Sequence, residues 1–251
     1  MISKSRQISK SPPGNAAGRG GHGVAPAARG RGKFITFEGG EGTGKSTQAA
    51  MLATRLESLG IAVLLTREPG GSPGAEVIRH VLLSGAAKPL GAEAEAMLFA
   101  AAREDHVKCA IEPALQAGRW VICDRFADST RVYQGALGKV DHRFIKALER
   151  VSIGDLKPDL TCVLDLSVEL GLERAALRRR NLTPDRFEAE KIEAHEKLRD
   201  AYLALAAAEP DRCVIIDAGM NKDAVARRVW TLVNSRFDPA LAPLTAEKLV
   251  S

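Results

Sequence analysis

Eight consecutive residues, Gly39-Gly40-Glu41-Gly42-Thr43-Gly44-Lys45-Ser46, read G-x-x-x-x-G-K-S, and Thr47 follows. Glycines at this density let a backbone curl until successive N–H groups point inward, the arrangement that cradles phosphate oxygens. A lysine at the end of the loop sets a cation on the outer phosphates, and the next hydroxyl can ligate Mg²⁺. The pattern needs a strand to deliver the loop and a helix to leave it, so that the helix dipole faces the same anion. Both are legible. Phe34-Ile35-Thr36-Phe37 is a short apolar run ending at Glu38. A helical pattern runs from Lys45 to about Leu59, where Gly60 sits at the expected stop. Residues 39–47 therefore read as a nucleoside triphosphate site, which by itself does not say what is done with the nucleotide.

A second set of residues suggests an acceptor. Asp124-Arg125 ends another apolar run, Trp120-Val121-Ile122-Cys123. An arginine directly after a strand end, beside a phosphate loop, suits a second anion. Arg67 and Arg103 add to the supply of guanidinium groups. No N-K-x-D guanine motif occurs, and Asp124 is not followed by the D-x-x-G of a GTPase switch. The set points to a small phosphorylated acceptor. Ser46 and Asp124 are the candidate Mg²⁺ ligands, and Glu38, also at a strand end, is a candidate to orient water on the metal.

The elements that must hold these groups alternate. Ile61–Thr66, Trp120–Cys123, Leu160–Leu166 and Cys213–Asp217 read as strands after Phe34–Phe37. Helical patterning covers roughly 75–83, 92–117, 129–134, 142–151, 168–179, 188–208 and 222–234, with a break at Asn181–Pro184. Strands alternating with helices imply right-handed crossovers and a parallel sheet. Their near-continuous apolar runs suit a sheet covered on both faces. The expected fold is α/β: a P-loop NTPase fold with a five-stranded parallel sheet and helices on both faces. Ligands in such sheets sit beyond the carboxyl ends of the strands, where the residues singled out above lie.

Composition narrows the classes. The chain has 251 residues, 45% hydrophobic and 27% charged, enough for one sizeable domain. No window approaches an uninterrupted membrane span, and 4% aromatic residues leave little for stacking nucleic-acid bases. The net charge of +5 is uneven. Lys4, Arg6, Lys10, Arg19, Arg29, Arg31 and Lys33 lie in the first 33 residues with no acidic residue, so the remainder carries a net −2. No nucleic-acid and no membrane partner is expected for the body. Residues 1–32, rich in Gly, Pro, Ala, Ser and Arg, are expected to be a disordered basic tail. Cys109, Cys123, Cys162 and Cys213 form no CxxC pair. Three of them fall in apolar runs, which suits buried thiols in the cytoplasm.

Longer stretches carry a resemblance. F-I-T-F-E-G-G-E-G-T-G-K-S-T-Q (34–48), T-R-E-P-G-G (66–71) and L-F-A-A-A-R (98–103) come first, then D-R-F-A-D-S-T-R-V-Y-Q-G (124–135), K-P-D-L-T (157–161) and D-R-F-E (185–188). In order and spacing the chain resembles the bacterial thymidylate kinases from residue 33 to about 235. The resemblance implies transfer of a phosphoryl group from ATP to dTMP, giving ADP and dTDP. It also implies Mg²⁺ with ATP as co-substrate, and a homodimer formed through helices beside the sheet. By the same resemblance Phe99 stacks on thymine, Arg103 donates to a base carbonyl, Thr130 reads the pyrimidine N3 edge, and Tyr133 crowds the sugar 2′ position. Arg125 clamps the acceptor phosphate with help from Arg79, and Glu41 contacts the 3′-OH. Lys45 and Arg125 are expected to be catalytic.

The loop departs from one branch of that family, which places an arginine directly after the acidic loop residue; here Gly42 holds the place. The missing charge is expected from a lid over residues 178–188, whose candidates are Arg178, Arg179, Arg180 and Arg186, with Arg178, Arg180 and Arg186 as the catalytic candidates. The kinase domain is expected over 33–236 and a C-terminal extension over 237–251. Two rivals stand beside this reading: a kinase for another monophosphate such as dUMP or GMP, and a P-loop ATPase using the basic tail as a nucleic-acid arm.

Overall fold

The computed structural model describes residues 30–179, 187 and 190–237. Residues 1–29, the Asn181–Pro184 break, Arg180, Arg186 and residues 238–251 lie outside the described residues, as does the side chain of Arg179.

Five parallel strands form one sheet in the order β2-β3-β1-β4-β5. They are β1 (Phe34–Glu38), β2 (Val63–Arg67), β3 (Trp120–Asp124), β4 (Leu160–Asp165) and β5 (Cys213–Asp217). β1 is central and wholly buried, pairing with β3 from Phe34↔Val121 and with β4 from Ile35↔Leu160. Alternation along β1 divides the core. Ile35 and Phe37 join Leu52, Leu56, Leu164, Val229 and Val233 on one face. Phe34 joins Ile111, Leu115, Val121 and Phe126 on the other. The two-sided covering expected from the apolar runs is therefore present, and the fold is the expected α/β one.

α1 (Lys45–Ser58) and α9 (Lys222–Phe237) pack together on the first face. α2 (Pro73–Leu83) packs on α3 (Ala92–His106), which in turn packs on α6 (His142–Ile153). α7 (Val168–Arg179) and α8 (Ile192–Ala208) follow β4. α3 continues through a widened π turn at Val107–Ile111 into α4 (Glu112–Gln116). Pro113 lies just beyond that turn; a proline lacks the donor a regular helix needs there, and a widened turn accommodates it. A second π turn, Arg131–Leu137, extends α5 (Ala127–Thr130).

Boundaries moved for identifiable reasons. β2 begins at Val63 rather than Ile61 because the Ile61 N–H bonds back to Leu56 O (3.1 Å), keeping the chain in the turn that ends α1. α2 begins at Pro73 rather than Ala75, since proline suits a first helical position. α9 runs to Phe237 rather than Asn234, and the Phe237 ring meets Trp120 edge-on at 5.4 Å. Gly32 is buried, and its N–H bonds to Leu115 O (2.9 Å).

One polar network ties α5 to the sheet. Buried Asp128 accepts from Arg212 Nη1 and Nη2 at 2.6 and 2.7 Å. Arg131 reaches Glu149 (2.6 Å) and Glu209 (2.7 Å). The helix carrying Ser129 and Thr130 is thereby anchored to the strand β4–β5 side, next to the site.

Candidate active site

The loop leaves β1 at Gly39 and enters α1 at Lys45, as its mechanism requires. Gly42 has φ 67°, and a Cβ there would lie 1.9 Å from the backbone oxygen of Gly171 in α7. The arginine of the other branch has no room at this position. The Lys45 ammonium donates to Gly40 O at 2.6 Å. Burial, then the neighbouring Arg125, holds its pKa down near 8 against the pull of Glu41 and Asp124. The Ser46 hydroxyl donates to the Asp124 carboxylate, and both line the main cavity. A hydroxyl and a carboxylate side by side form the hard oxygen donor set that Mg²⁺ prefers.

Arg125 is the hub. It has φ 69°, a left-handed conformation that costs a non-glycine residue energy and clusters at functional sites. Its Nη1 donates to Gly39 O (3.1 Å), Ser129 Oγ (3.2 Å) and Tyr202 OH (3.1 Å). Its Nη2 donates to Glu41 Oε1 (2.5 Å) and Tyr133 OH (3.0 Å). Burial alone would raise the Glu41 carboxyl, but Arg125, Lys45 and the Tyr133 hydroxyl outweigh it and hold it at about 2. Glu41 is therefore a charged acceptor at neutral pH.

Glu38 sits beneath this hub. Its side chain is fully buried. One oxygen accepts from the Phe126 N–H (2.7 Å), the other from Ser129 Oγ (2.7 Å) and Tyr202 OH (3.0 Å). Burial and the Asp128 charge raise its pKa to about 7. The expectation that Glu38 orients water on a metal is thus corrected: both oxygens are committed to the protein.

The main cavity, about 370 Å³, runs from the phosphate loop to Phe99, Arg103, Thr130 and Tyr133. It brings together Glu41, Gly42, Gly44, Lys45, Ser46, Thr47, Arg79, Asp124, Arg125 and Arg178 as well. Gly39, Gly40 and Thr43 lie on the far side of the loop, along a small cleft beside β4 and α8. Arg103 is buried and donates from Nη2 to Thr130 Oγ1 at 3.0 Å. Arg79 donates to Pro69 O at 2.5 Å. Arg67 is taken up by Glu76 through two bonds of 3.0 and 3.2 Å. The exposed Arg178 also lines the cavity, and its charge helps to lower Glu41.

Sequence reasoning did not single out Tyr202, Glu68 or Phe187. The Phe187 ring lies 6.1 Å from Phe99 and 5.4 Å from Tyr133, in the lining of the same cavity. It belongs to the quoted D-R-F-E motif, which was the available signal. Tyr202 offered none beyond its place in an apolar helical pattern.

A parallel sheet with a phosphate loop at its central strand, opening on a cavity lined by arginines, defines a P-loop nucleotide phosphotransferase. The thymidylate kinase family model matches residues 37–229. A thymidylate kinase of Nitrobacter winogradskyi is 64% identical over 218 residues, covering 87% of this chain and 95% of that one. One of Bradyrhizobium diazoefficiens is 61% identical over 217 residues, covering 86% and 95%. The crystal structure of thymidylate kinase from Ehrlichia chaffeensis superposes with a TM-score of 0.66 at 32% identity, covering 81% of this chain and 99% of that one. The chain belongs to the thymidylate kinase family.

Proposed function

We infer that this chain transfers the terminal phosphoryl group of ATP to the 5′-phosphate of dTMP, giving ADP and dTDP. One observation carries the reading: a single cavity joins the phosphate loop to a pocket built from Phe99, Arg103, Thr130 and Tyr133. ATP and dTMP are the substrates. Phosphoryl transfer asks a protein for positioning and charge neutralisation rather than covalent chemistry. Lys45 meets the outer phosphates of ATP. Arg125 clamps the acceptor phosphate in a bidentate geometry that lysine cannot match. Arg79 supports that clamp. Glu41, held as a carboxylate, accepts from the sugar 3′-OH, while Tyr133 fills the 2′ side. Ser46 and Asp124 would hold Mg²⁺, which when bound draws charge from the phosphates and fixes their orientation. The lid arginines Arg178, Arg180 and Arg186 are the source of the transition-state charge that Gly42 leaves unfilled.

Two broader points belong to the same reading. The chain acts as a homodimer: Val77 and Val81 on α2 and Met97 on α3 stay exposed in the single chain, and such apolar surface marks an interface. It works in the cytoplasm, in keeping with four unpaired cysteines. Among the described residues no helix is long and apolar enough to cross a membrane.

The test is ADP formation with dTMP. Lys45→Ala is expected to lose kcat/KM on the order of 10³-fold with the fold retained; near-normal turnover contradicts the loop assignment. Among Arg178→Ala, Arg180→Ala and Arg186→Ala, one is expected to lose kcat by a similar order with KM for dTMP little changed, the mark of a contact made only in the transition state. If all three, Arg179→Ala and the quadruple variant keep kcat within about tenfold, the lid assignment is wrong.

A further inference from the structure

Behind the base end of the cavity runs a chain of polar side chains that phosphoryl transfer does not use. Thr66 Oγ1 lies 2.7 Å from His106 Nε2, and His106 Nδ1 lies 3.1 Å from Glu68 Oε1. Glu68 Oε2 accepts from Arg103 Nε at 2.7 Å. Arg103 Nη2 then donates to Thr130 Oγ1 (3.0 Å) and Phe126 O (3.2 Å). The side chains of Glu68, Arg103 and His106 are 4%, 2% and 0% exposed. Space for the imidazole exists only because residue 71 is glycine: a Cβ there would lie 2.3 Å from His106 Nε2.

A buried ion pair is weak evidence of net stabilisation, because desolvation offsets its attraction. Its use here is orientation. Both Glu68 oxygens are engaged, so the carboxylate cannot turn. Two of the three Arg103 nitrogens are tied to the protein in consequence. Nη1 has no hydrogen-bond partner among the described residues, and Arg103 lines the cavity. Its N–H groups are the ones left for a ligand. A guanidinium has donors and no acceptor. A ring carbonyl presented to that edge is satisfied, whereas a ring amino group meets donor with donor, leaving buried groups unpaired at a cost. Thymine has a carbonyl at C4; cytosine has an amino group there.

We propose that Glu68, held by His106, is a positioning residue that locks Arg103 with its Nη1 edge toward the base, and that this lock rejects 4-aminopyrimidine nucleotides. The proposal rests on the dTMP reading above. If His106 is removed, Glu68 is free to rotate, Arg103 can swing aside, and the discrimination relaxes. Glu68→Gln acts more directly, because a neutral amide holds a guanidinium less firmly than a carboxylate does.

The experiment measures kcat/KM for dTMP and for dCMP, with the thermal midpoint, on the full chain. Glu68→Gln and His106→Leu are expected to lower the dTMP-to-dCMP ratio about tenfold or more. His106→Gln, which keeps a donor toward Glu68, is expected to recover most of it. A merely structural role would weaken both substrates alike and leave the ratio unchanged. A ratio within about twofold of wild type in His106→Leu, or in Glu68→Gln where it folds, overturns the lock while the dTMP activity of the wild type stands. Wild-type protein that does not use dTMP at all overturns the dTMP reading itself, and the proposal with it.

Discussion

At the scale of single residues, the proposed transfer turns on the charge of Lys45. Burial and Arg125 hold its pKa near 8. It is charged below that value and neutral above it. Only the charged form neutralises phosphate oxygens, and kcat/KM reports the free enzyme. So kcat/KM for ATP should fall as pH rises through about 8. Bound ATP adds negative charge beside the ammonium and favours its protonated form. At saturating ATP, kcat should therefore hold to higher pH. Paired pH profiles check this; a kcat/KM that stays level well past 8 contradicts the assignment. Lys45, Ser46 and Arg125 were legible because their chemistry is written in local spacing. The supports were not. Tyr202 meets Glu38 across 164 residues of sequence, and no short motif records such a contact. Glu38 shows the opposite error: a carboxylate at a strand end looks available for a metal until burial commits both of its oxygens.

At the scale of elements, the strands could be read from composition because a doubly covered sheet demands apolar runs. The two π turns could not. They answer to packing and to Pro113 rather than to any local period, and the second of them carries Tyr133 into the site. Gly42 and Gly171 also belong to this scale: α7 approaches the loop so closely at this point that no side chain fits on residue 42. Helix α2 bears a surface that the single chain leaves unsatisfied. Val77 and Val81 lie one turn apart and are 66% and 40% exposed. If this face seals the dimer, Val77→Glu should shift the protein toward monomer, since burying a carboxylate in an apolar contact is costly. Light scattering should then read the single-chain mass of 26.8 kDa for the variant and twice that for wild type. A monomeric wild type removes the dimer, and a variant that stays dimeric removes this face.

At the scale of the whole molecule, the arrangement is one of two ends. Central strand β1 delivers the phosphate loop, β3 beside it and β2 beyond end at Asp124 and Arg67, and one cavity is lined by the residues that follow all three. The net positive charge of the chain belongs to its first 33 residues, whereas the remainder carries slightly more acidic than basic groups. This distribution argues against a body shaped for a polyanion. The central claim is that ATP turnover is coupled to dTMP. The most direct measurement is the rate of ADP formation from ATP and Mg²⁺ across a panel of dTMP, dUMP, dCMP and GMP, with duplex DNA as a further arm. The account predicts rapid ADP release with dTMP, much slower release with dCMP and GMP, and no response to DNA. ATP turnover that ignores dTMP, or that rises with DNA instead, would contradict it.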